Sequence, residues 1–448
     1  MTYYNFIGAV SNIVIAAVGI GMLALPRAVA QSGWGGFAIL LPLSSIIAYK
    51  TTHMIYKCMS DKFENNRSYD DIGACCIPSF GRIIVLIPIL LDILGVCTLL
   101  LILAGSGFNK LFNITQLQGT TIFTFIILPF SWIPSLNEIG IISSFGLFAL
   151  FIIIITIIII SINKDYTNPG ITSKWPKDVE TLGLSFSDFM NSYTIAPVMP
   201  TLFVGIRKTE NVRTILITGL LIVTIIFGIV GACGYLGWGS TILEYDNLID
   251  ALTSDNGKSI YSIILRYGIL VVCFCHFLVM FNPACIITES IIKKLFKNDR
   301  EKYEELSNLK KKNYNNLLIT NNDYILNNNE DILNNKQDVL NYNEDNNEDK
   351  IFSNKNTDNF YYMKIIILRT FLVLFCFILA ITIPNFNLII DCIGSTLVML
   401  LQIVFPIMFY IYLIKPNFKE RVISVILFLM GLFGLIFGIW AFIDEIPN

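Results

Sequence analysis

The stretch Ser11–Pro26, SNIVIAAVGIGMLALP, decides the fold of this chain. It is apolar enough to lie in a bilayer, yet Gly19 and Gly21 permit unwound backbone midway, and Pro26 kinks or restarts a helix. Lipid offers no hydrogen-bond partner, so a helix can be interrupted at membrane depth only where protein or a water-filled cavity satisfies the freed backbone groups. The stretch therefore predicts a broken transmembrane helix whose break lines a cavity.

A second stretch of the same kind follows at Asp188–Pro200, DFMNSYTIAPVMP, in which polar residues run into two prolines. Paired breaks at corresponding positions of two halves indicate a carrier built from inverted repeats. The N-terminus of a half-helix holds a carboxylate, and unwound carbonyls hold an ammonium group, so the pair of breaks suits a zwitterion such as an amino acid. Packing alone is the alternative, because Gly and Pro are common in membrane helices.

The composition of the whole chain indicates a membrane protein and argues against a soluble enzyme. Only 14% of the 448 residues are charged and 54% are hydrophobic, whereas soluble domains carry about 25% charged residues. The formal net charge of −2 gives no field that would collect nucleic acid, which excludes that partner. The pair Cys75 and Cys76 has no C-x-x-C spacing and no histidine nearby, so we expect no metal site, redox framework or cofactor.

Eleven stretches are long and apolar enough, or nearly so, to cross a bilayer, which predicts an all-α membrane protein. A short turn within residues 131–140 is all that separates the fourth stretch from the fifth, and a single span there would move every later loop to the other side. Residues 1–300 hold the first eight spans and residues 361–448 the last three. The predicted spans are residues 5–25, 36–56, 83–107, 118–135, 140–162, 185–206, 214–237, 260–291, 363–383, 387–414 and 422–443.

The basic residues of the loops predict the orientation in the membrane. The loops after spans 2, 6, 8 and 10 carry 14 of these residues, and the opposite face carries six, among them Arg27. The positive-inside rule then places the N-terminus in the cytoplasm and the C-terminus outside. The first apolar run lacks a basic n-region and is longer than a signal-peptide core, so we interpret it as a retained span.

Residues 301–360 differ from the rest of the chain. They contain 18 asparagines, 12 acidic residues and 7 basic residues, and they show no sustained apolar periodicity. Such a segment cannot bury enough apolar surface to offset the entropy of ordering it. We interpret it as a disordered cytoplasmic insertion, either a regulatory tether or tolerated low-complexity sequence.

Ionisable residues inside the spans are candidates for ion coupling, because charge at membrane depth is costly. His276 lies near the middle of span 8 and titrates in the physiological range, which makes it the first candidate for a proton-coupling group. Asp92 in span 3 is the second candidate. For both residues the alternative is a polar side chain that hydrogen-bonds to a neighbouring helix. Asp391, near the outer end of span 10, would gate access to the cavity or cap an interface.

Three motifs together resemble the amino acid/auxin permease family of amino acid transporters. They are N-x₆-G-x-G-x-L-A-L-P from Asn12 to Pro26, GYLGWG at residues 234–239, and the run Gly394–Pro406. The resemblance implies eleven spans in a five-plus-five inverted repeat with an extra C-terminal helix, and secondary active transport of amino acids by a monomer. It also implies that N–H groups of Gly19, Ile20 and Gly21 bind the substrate carboxylate. Ser192, Tyr193 and Thr194 would meet the amino group and the side chain, and Asn12 is a further candidate substrate-binding residue.

The coupling ion and the alternatives to transport remain open at this point. Sodium-coupled members of the family tend to carry an asparagine about one turn before the G-x-G, where this chain has Ile15, and Asn12 lies two turns before. We therefore favour a proton-coupled carrier over sodium-coupled or uncoupled ones, at the plasma membrane or on an acidic vacuole. An amino acid sensor would use the same pocket. The chain has two histidines and no H-E-x-x-H motif, which argues against an enzyme.

Overall fold

The computed structural model describes most of the chain outside the asparagine-rich insertion. The described residues are 3–62, 68–78, 80–133, 136–163, 171–200, 212–245, 251, 260–261, 263–289, 291, 363–383 and 386–445. The predicted insertion at 301–360 lies outside these ranges. Within them all regular structure is helical, which agrees with the predicted all-α class.

The first half of the chain contributes six helices and a short 3₁₀ helix. The 3₁₀ helix, Ile20–Leu23, lies between the first two α-helices. The six described α-helices of the first half are α1 (Tyr3–Ala17), α2 (Leu25–Lys62), α3 (Tyr69–Cys76), α4 (Gly81–Phe112), α5 (Gln116–Ser131) and α6 (Leu136–Asn163). Since α5 ends at Ser131 and α6 begins at Leu136, the predicted separation of the fourth and fifth spans is confirmed as two helices.

In the described part of the second half, seven α-helices have defined bounds, together with a 3₁₀ helix at Ala196–Val198, a further 3₁₀ helix at Gly239–Glu244, and a π-helical segment at Ile393–Val404. The α-helices are α7 (Val179–Ser192), α8 (Val212–Trp238), α9 (Ile263–Glu289), α10 (Met363–Thr382), α11 (Phe386–Cys392), α12 (Phe405–Ile414) and α13 (Phe418–Glu445).

Seven of the described helices are long and apolar enough to cross a membrane. The broken first and sixth spans fall short because α1 has 15 residues and α7 has 14. Helix α5 has 16 residues, and the stretch Phe148–Ile162 of α6 counts as a shorter apolar helix. The count of eleven therefore stays a prediction. The seven are Leu25–Met59, Gly81–Phe112, Val212–Glu244, Ile263–Glu289, Met363–Thr382, Ile389–Ile414 and Phe418–Trp440.

Two compact units divide the chain: residues 1–282 with 374–448, and residues 283–373. In the larger unit α7 is the central helix, because every residue from Gly183 to Met190 is buried and α7 packs against α2, α13 and the π-helical segment. Outer helices instead expose large apolar side chains such as Phe125 on α5 and Phe148 on α6, as expected for surfaces that face lipid. In the smaller unit, Arg369 pairs with Glu289 at 3.0 Å.

The sharp turn after the first break depends on Gly33. Its φ of 69° is left-handed, and a Cβ there would lie 2.8 Å from the carbonyl carbon of Lys174, so only glycine fits. The loop backbone at residues 173–174 accepts hydrogen bonds from the N–H groups of Trp34 and Gly35. This loop therefore fixes the direction in which α2 continues beyond Gly33.

Candidate functional site

The predicted break in the first span is present in the structure. Helix α1 ends at Ala17, and α2 begins at Leu25 after the 3₁₀ helix. Gly19 has an extended backbone, with φ −131° and ψ −153°, so the helical hydrogen-bond ladder is interrupted there. The break therefore lies on the two glycines that the sequence singles out.

The sixth span is also broken where the sequence predicts. Helix α7 ends at Ser192, residues 193–195 are not helical, and a 3₁₀ helix begins at Ala196. The Thr194 hydroxyl donates back to the Met190 and Asn191 carbonyls at 3.2 and 2.8 Å, which satisfies the last turn of α7. This contact makes Thr194 a cap of its own helix in the described conformation.

The two breaks are in direct contact. The Ser192 hydroxyl donates to the Gly21 carbonyl at 3.0 Å and to the Asp188 carbonyl at 3.2 Å. A Cβ on Gly21 would lie 3.1 Å from the Ser192 Cα, so a side chain at this position would require the two breaks to move apart by a few tenths of an ångström. Ser185, two turns earlier, donates to the Ala28 carbonyl at 2.8 Å and holds the same helix pair together. The structure thus brings two of the predicted site residues, Gly21 and Ser192, to one point.

His276 lies against the first break. A Cβ on Gly19 would be 3.2 Å from both Cε1 and Nε2 of the His276 imidazole. His276 is half-buried on α9, and it is the one histidine among the candidate site residues. The structure therefore joins the predicted proton-coupling candidate to the predicted carboxylate site, although it does not test either role.

Asp92 is not part of this cluster. It lies on α4 eleven residues before Leu103, the α4 residue that lines the small cavity beside Gly19, which corresponds to about 16 Å along a helix. The next turn of α4 approaches the π-helical segment, where a Cβ on Gly95 would touch Ile393. Asp92 therefore lies away from the first break in this conformation, and its role as a coupling candidate stays a prediction.

The Tyr193 side chain is directed elsewhere. It is fully buried, its hydroxyl donates to Thr224 at 2.9 Å, and Thr224 donates onward to Ser45 at 2.9 Å. Its ring packs against Phe227 with 5.1 Å between centroids. Tyr193 therefore anchors the sixth-span break to α2 and α8. The side chains of the remaining candidates, Asn12 and Ile20, lie outside the described residues.

A small cavity borders the first break. It measures about 10 Å³, enough for no more than one water molecule and too little for an amino acid. This cavity therefore does not hold an amino acid in the described conformation. Apolar residues of α4, α6 and α9 form the wall opposite Gly19: Leu103, Leu150, Ile153, Ile269, Val272 and Cys273.

Sequence reasoning missed Gln402, which holds the sixth-span break. Its side chain is fully buried in the π-helical segment, and its Oε1 accepts the N–H groups of Ile195 and Ala196 at 3.0 and 2.8 Å. Its Nε2 donates to the Thr51 hydroxyl on α2 at 3.2 Å. The position of this polar residue within the apolar motif Gly394–Pro406 could have indicated a buried role. Its hydrogen-bond partners are visible only in the structure.

The structure corrects the interpretation of Arg27 and Asp391. Arg27 was counted among outer loop residues, but it lies in the first turn of α2, is 8% exposed, and pairs with Asp391 at 2.8 Å. Asp391 is fully buried at the end of α11, so it is not an interfacial cap. Without Arg27 the opposite face carries five basic residues, and the predicted orientation is unchanged. The pair joins the helix after the first break to the tenth span.

No cluster of three His, Cys, Asp or Glu side chains suited to a metal ion occurs among the described residues. Among the described residues, the groups at the breaks that can form hydrogen bonds include backbone groups, the Ser192 and Thr194 hydroxyls and the His276 imidazole. These groups suit the binding of a small polar molecule and the movement of a proton.

Comparison with known proteins identifies the family. The profile of the family described as transmembrane amino acid transporter protein matches residues 4–444. Amino acid transporter AVT1J of Arabidopsis thaliana is 30% identical over 240 residues, covering 51% of this chain and 56% of the relative. Amino acid transporter AVT1I of the same plant is 28% identical over 253 residues, covering 54% and 61%. The alignments thus span a little over half the length of these relatives.

One solved structure aligns with this chain over most of its length. The crystal structure of the Eremococcus coleocola manganese transporter, in complex with an aromatic bis-isothiourea substituted compound, matches 98% of this chain and 94% of that chain. Its TM-score is 0.46 at 12% identity, which is too low to establish a shared fold. The match of the family profile over nearly the whole chain confirms the resemblance seen in the motifs and excludes an enzyme, because its members are transport proteins. The chain is an integral multi-pass membrane protein that belongs to the transmembrane amino acid transporter protein family.

Proposed function

We propose that this chain is a secondary active transporter that moves amino acids across a membrane by alternating access around its two broken helices. The observation that carries the proposal is the contact between the breaks, in which Ser192 donates to the Gly21 carbonyl. A substrate bound there would touch both halves of the bundle at once. Its binding would thus favour rearrangement of one half against the other.

The proposed substrate site uses the backbone of the first break. N–H groups of Gly19, Ile20 and Gly21 bind the carboxylate, and carbonyls at the break together with Ser192 bind the ammonium group. Two sixth-span donors, the N–H groups of Ile195 and Ala196, already bond to Gln402. Because these two N–H groups are already engaged, they support placing the substrate carboxylate at the first break and not at the sixth.

The proposed coupling ion is the proton, with His276 as the group that carries it. Protonation would place a positive charge next to Gly19, and that charge would favour a bound carboxylate. Asp92 is retained as a second candidate that would act in another conformation. The finer architecture belongs to the same proposal: eleven spans, a five-plus-five inverted repeat, a cytoplasmic N-terminus, and a plasma or acidic vacuole membrane.

Uptake of labelled amino acids into proteoliposomes tests the proposal. The purified chain should accumulate at least one amino acid, and an imposed inward proton gradient should raise the initial rate. Binding without flux would favour the alternative, an amino acid sensor that uses the same pocket. Flux that ignores the pH gradient but follows a sodium gradient would replace the proton by sodium, and flux that ignores both would indicate an uncoupled carrier.

A further inference from the structure

A second, much larger groove lies apart from the breaks. It measures about 1180 Å³ and runs between α3, the start of α4, α12 and the start of α13. Its walls carry exposed apolar side chains, including Ile77, Ile84, Met408 and Tyr412. A groove of this size matches a drug-sized or lipid-sized molecule.

Two cations stand at one end of this groove. Lys415 and Arg421 both line it, both are exposed, and neither has a carboxylate partner in the part of the chain that the structure describes. Arg82, at the start of α4, differs from these two cations because its charge is paired with the carboxylates of Asp70 and Asp71. The positive charge at the Lys415 end is therefore available to an anion.

The position of these cations fixes the level of the anion in the membrane. Lys415 directly follows the apolar span Ile389–Ile414, and Arg421 lies in the first turn of the span Phe418–Trp440. Basic residues at the ends of spans lie where lipid headgroups lie, and the groove continues from them along the apolar residues of both spans. A ligand that fills it must be charged at one end and apolar along its length.

We propose that this groove binds an anionic phospholipid, with its phosphate between Lys415 and Arg421 and an acyl chain along the apolar wall. The bound lipid joins α12 and α13 to α3 and α4. Since α12 continues directly from the π-helical segment that carries Gln402, the lipid also supports the end of the tenth span.

An acyl chain attached covalently to the protein is a poorer match. Cys75 and Cys76 both line the groove, but burial raises the pKa of the Cys76 thiol to about 12. That thiol is protonated at neutral pH and is a weak nucleophile, which disfavours thioester formation. The proposal therefore places the lipid in the groove without a covalent bond to Cys76.

Lipid titration of the purified full chain in neutral detergent tests the proposal. Phosphatidylglycerol should raise the melting temperature at lower concentrations than phosphatidylcholine, and inorganic phosphate alone should have no effect. The double variant Lys415→Gln/Arg421→Gln should bind phosphatidylglycerol about 30-fold more weakly. Lys419→Gln is the matched control, because Lys419 is exposed in the same segment but does not line the groove, and it should bind like wild type.

A second variant separates the apolar contact from the charge. Met408→Trp fills the groove and should weaken binding of both lipids while leaving the two cations in place. Equal affinity for the two lipids, an effect of Lys419→Gln as large as that of the double variant, or unchanged binding by Met408→Trp would each overturn the proposal. Stabilisation by inorganic phosphate alone would show a simple anion site, and a thioester-linked chain in the intact-mass spectrum would show acylation. Either result would also overturn it.

Discussion

Replacement of Gly21 by alanine should slow transport strongly while the protein still inserts and folds. The new Cβ would lie 3.1 Å from the Ser192 Cα and 3.3 Å from the Ser192 hydroxyl oxygen. Ordinary carbon contacts begin near 3.4 Å, so the breaks must separate by a few tenths of an ångström. A Cα cannot rotate away as the end of a long side chain can, so the strain must move one helix relative to the other.

The size of the effect follows from the cost of overpacking. Inserting a methyl group into a packed contact costs about 1–3 kcal/mol. This strain acts on the closed conformation, in which the breaks touch, and is relieved when they part. A cost of about 2 kcal/mol lowers the population of the closed conformation about 30-fold relative to an open one. We therefore expect initial uptake to fall by at least about tenfold.

The assay is initial uptake of labelled amino acid into proteoliposomes that contain equal amounts of each variant. Gly228→Ala on α8 is the matched control, because its Cβ would lie 3.4 Å from Leu41 in ordinary contact. It should transport at the wild-type rate. Wild-type uptake by Gly21→Ala, with the control also normal, would refute the idea that contact between the breaks is part of the transport cycle.

Further variants test the groups around the breaks and the insertion. Gln402→Met leaves two buried N–H groups without an acceptor and should lower unfolding stability by about 2–4 kcal/mol, read as a drop in melting temperature in detergent. His276→Ala should flatten the pH dependence of uptake, and an unaltered profile would remove it from the mechanism. Asp391→Asn removes the carboxylate charge that lies 2.8 Å from the buried Arg27 guanidinium and should cost about 3–5 kcal/mol, whereas Arg27→Met/Asp391→Leu should cost less; equal losses would contradict a stabilising role of the buried ion pair. Deletion of residues 305–355 should leave transport within a few-fold of wild type, and complete loss would show that the insertion is required.

The positions of both breaks were predictable because their causes are local. Glycines separated by one residue, followed by a proline five residues later, weaken a helix wherever they occur, and the run from Asn191 to Pro200 does the same. The hydropathy of each span is likewise a property of its own sequence. These features let the sequence place Gly19, Gly21 and Ser192 at breaks before their contact was known.

The pairing of distant side chains was not predictable from one sequence. Arg27 and Asp391 are 364 residues apart, and nothing in either neighbourhood specifies the other. The sequence therefore predicts a loop position for Arg27, whereas the structure places it in the first turn of α2. The orientation of the Tyr193 side chain could not be predicted for a related reason, because a residue at a break can face either the cavity or the surrounding helices. In the structure its hydroxyl bonds to Thr224 and its ring packs against Phe227.

We propose that the paired breaks form an amino acid site whose occupation is coupled to a proton. The most direct measurement is uptake across a panel of labelled amino acids, in proteoliposomes with and without an imposed inward proton gradient, for wild type and His276→Ala. We predict saturable uptake of at least one amino acid by wild type, with a faster initial rate under the gradient, and a rate for His276→Ala that no longer responds to it. If the folded chain binds amino acids but does not take them up, the chain is not a transporter. Equal rates with and without the gradient in wild type would contradict proton coupling.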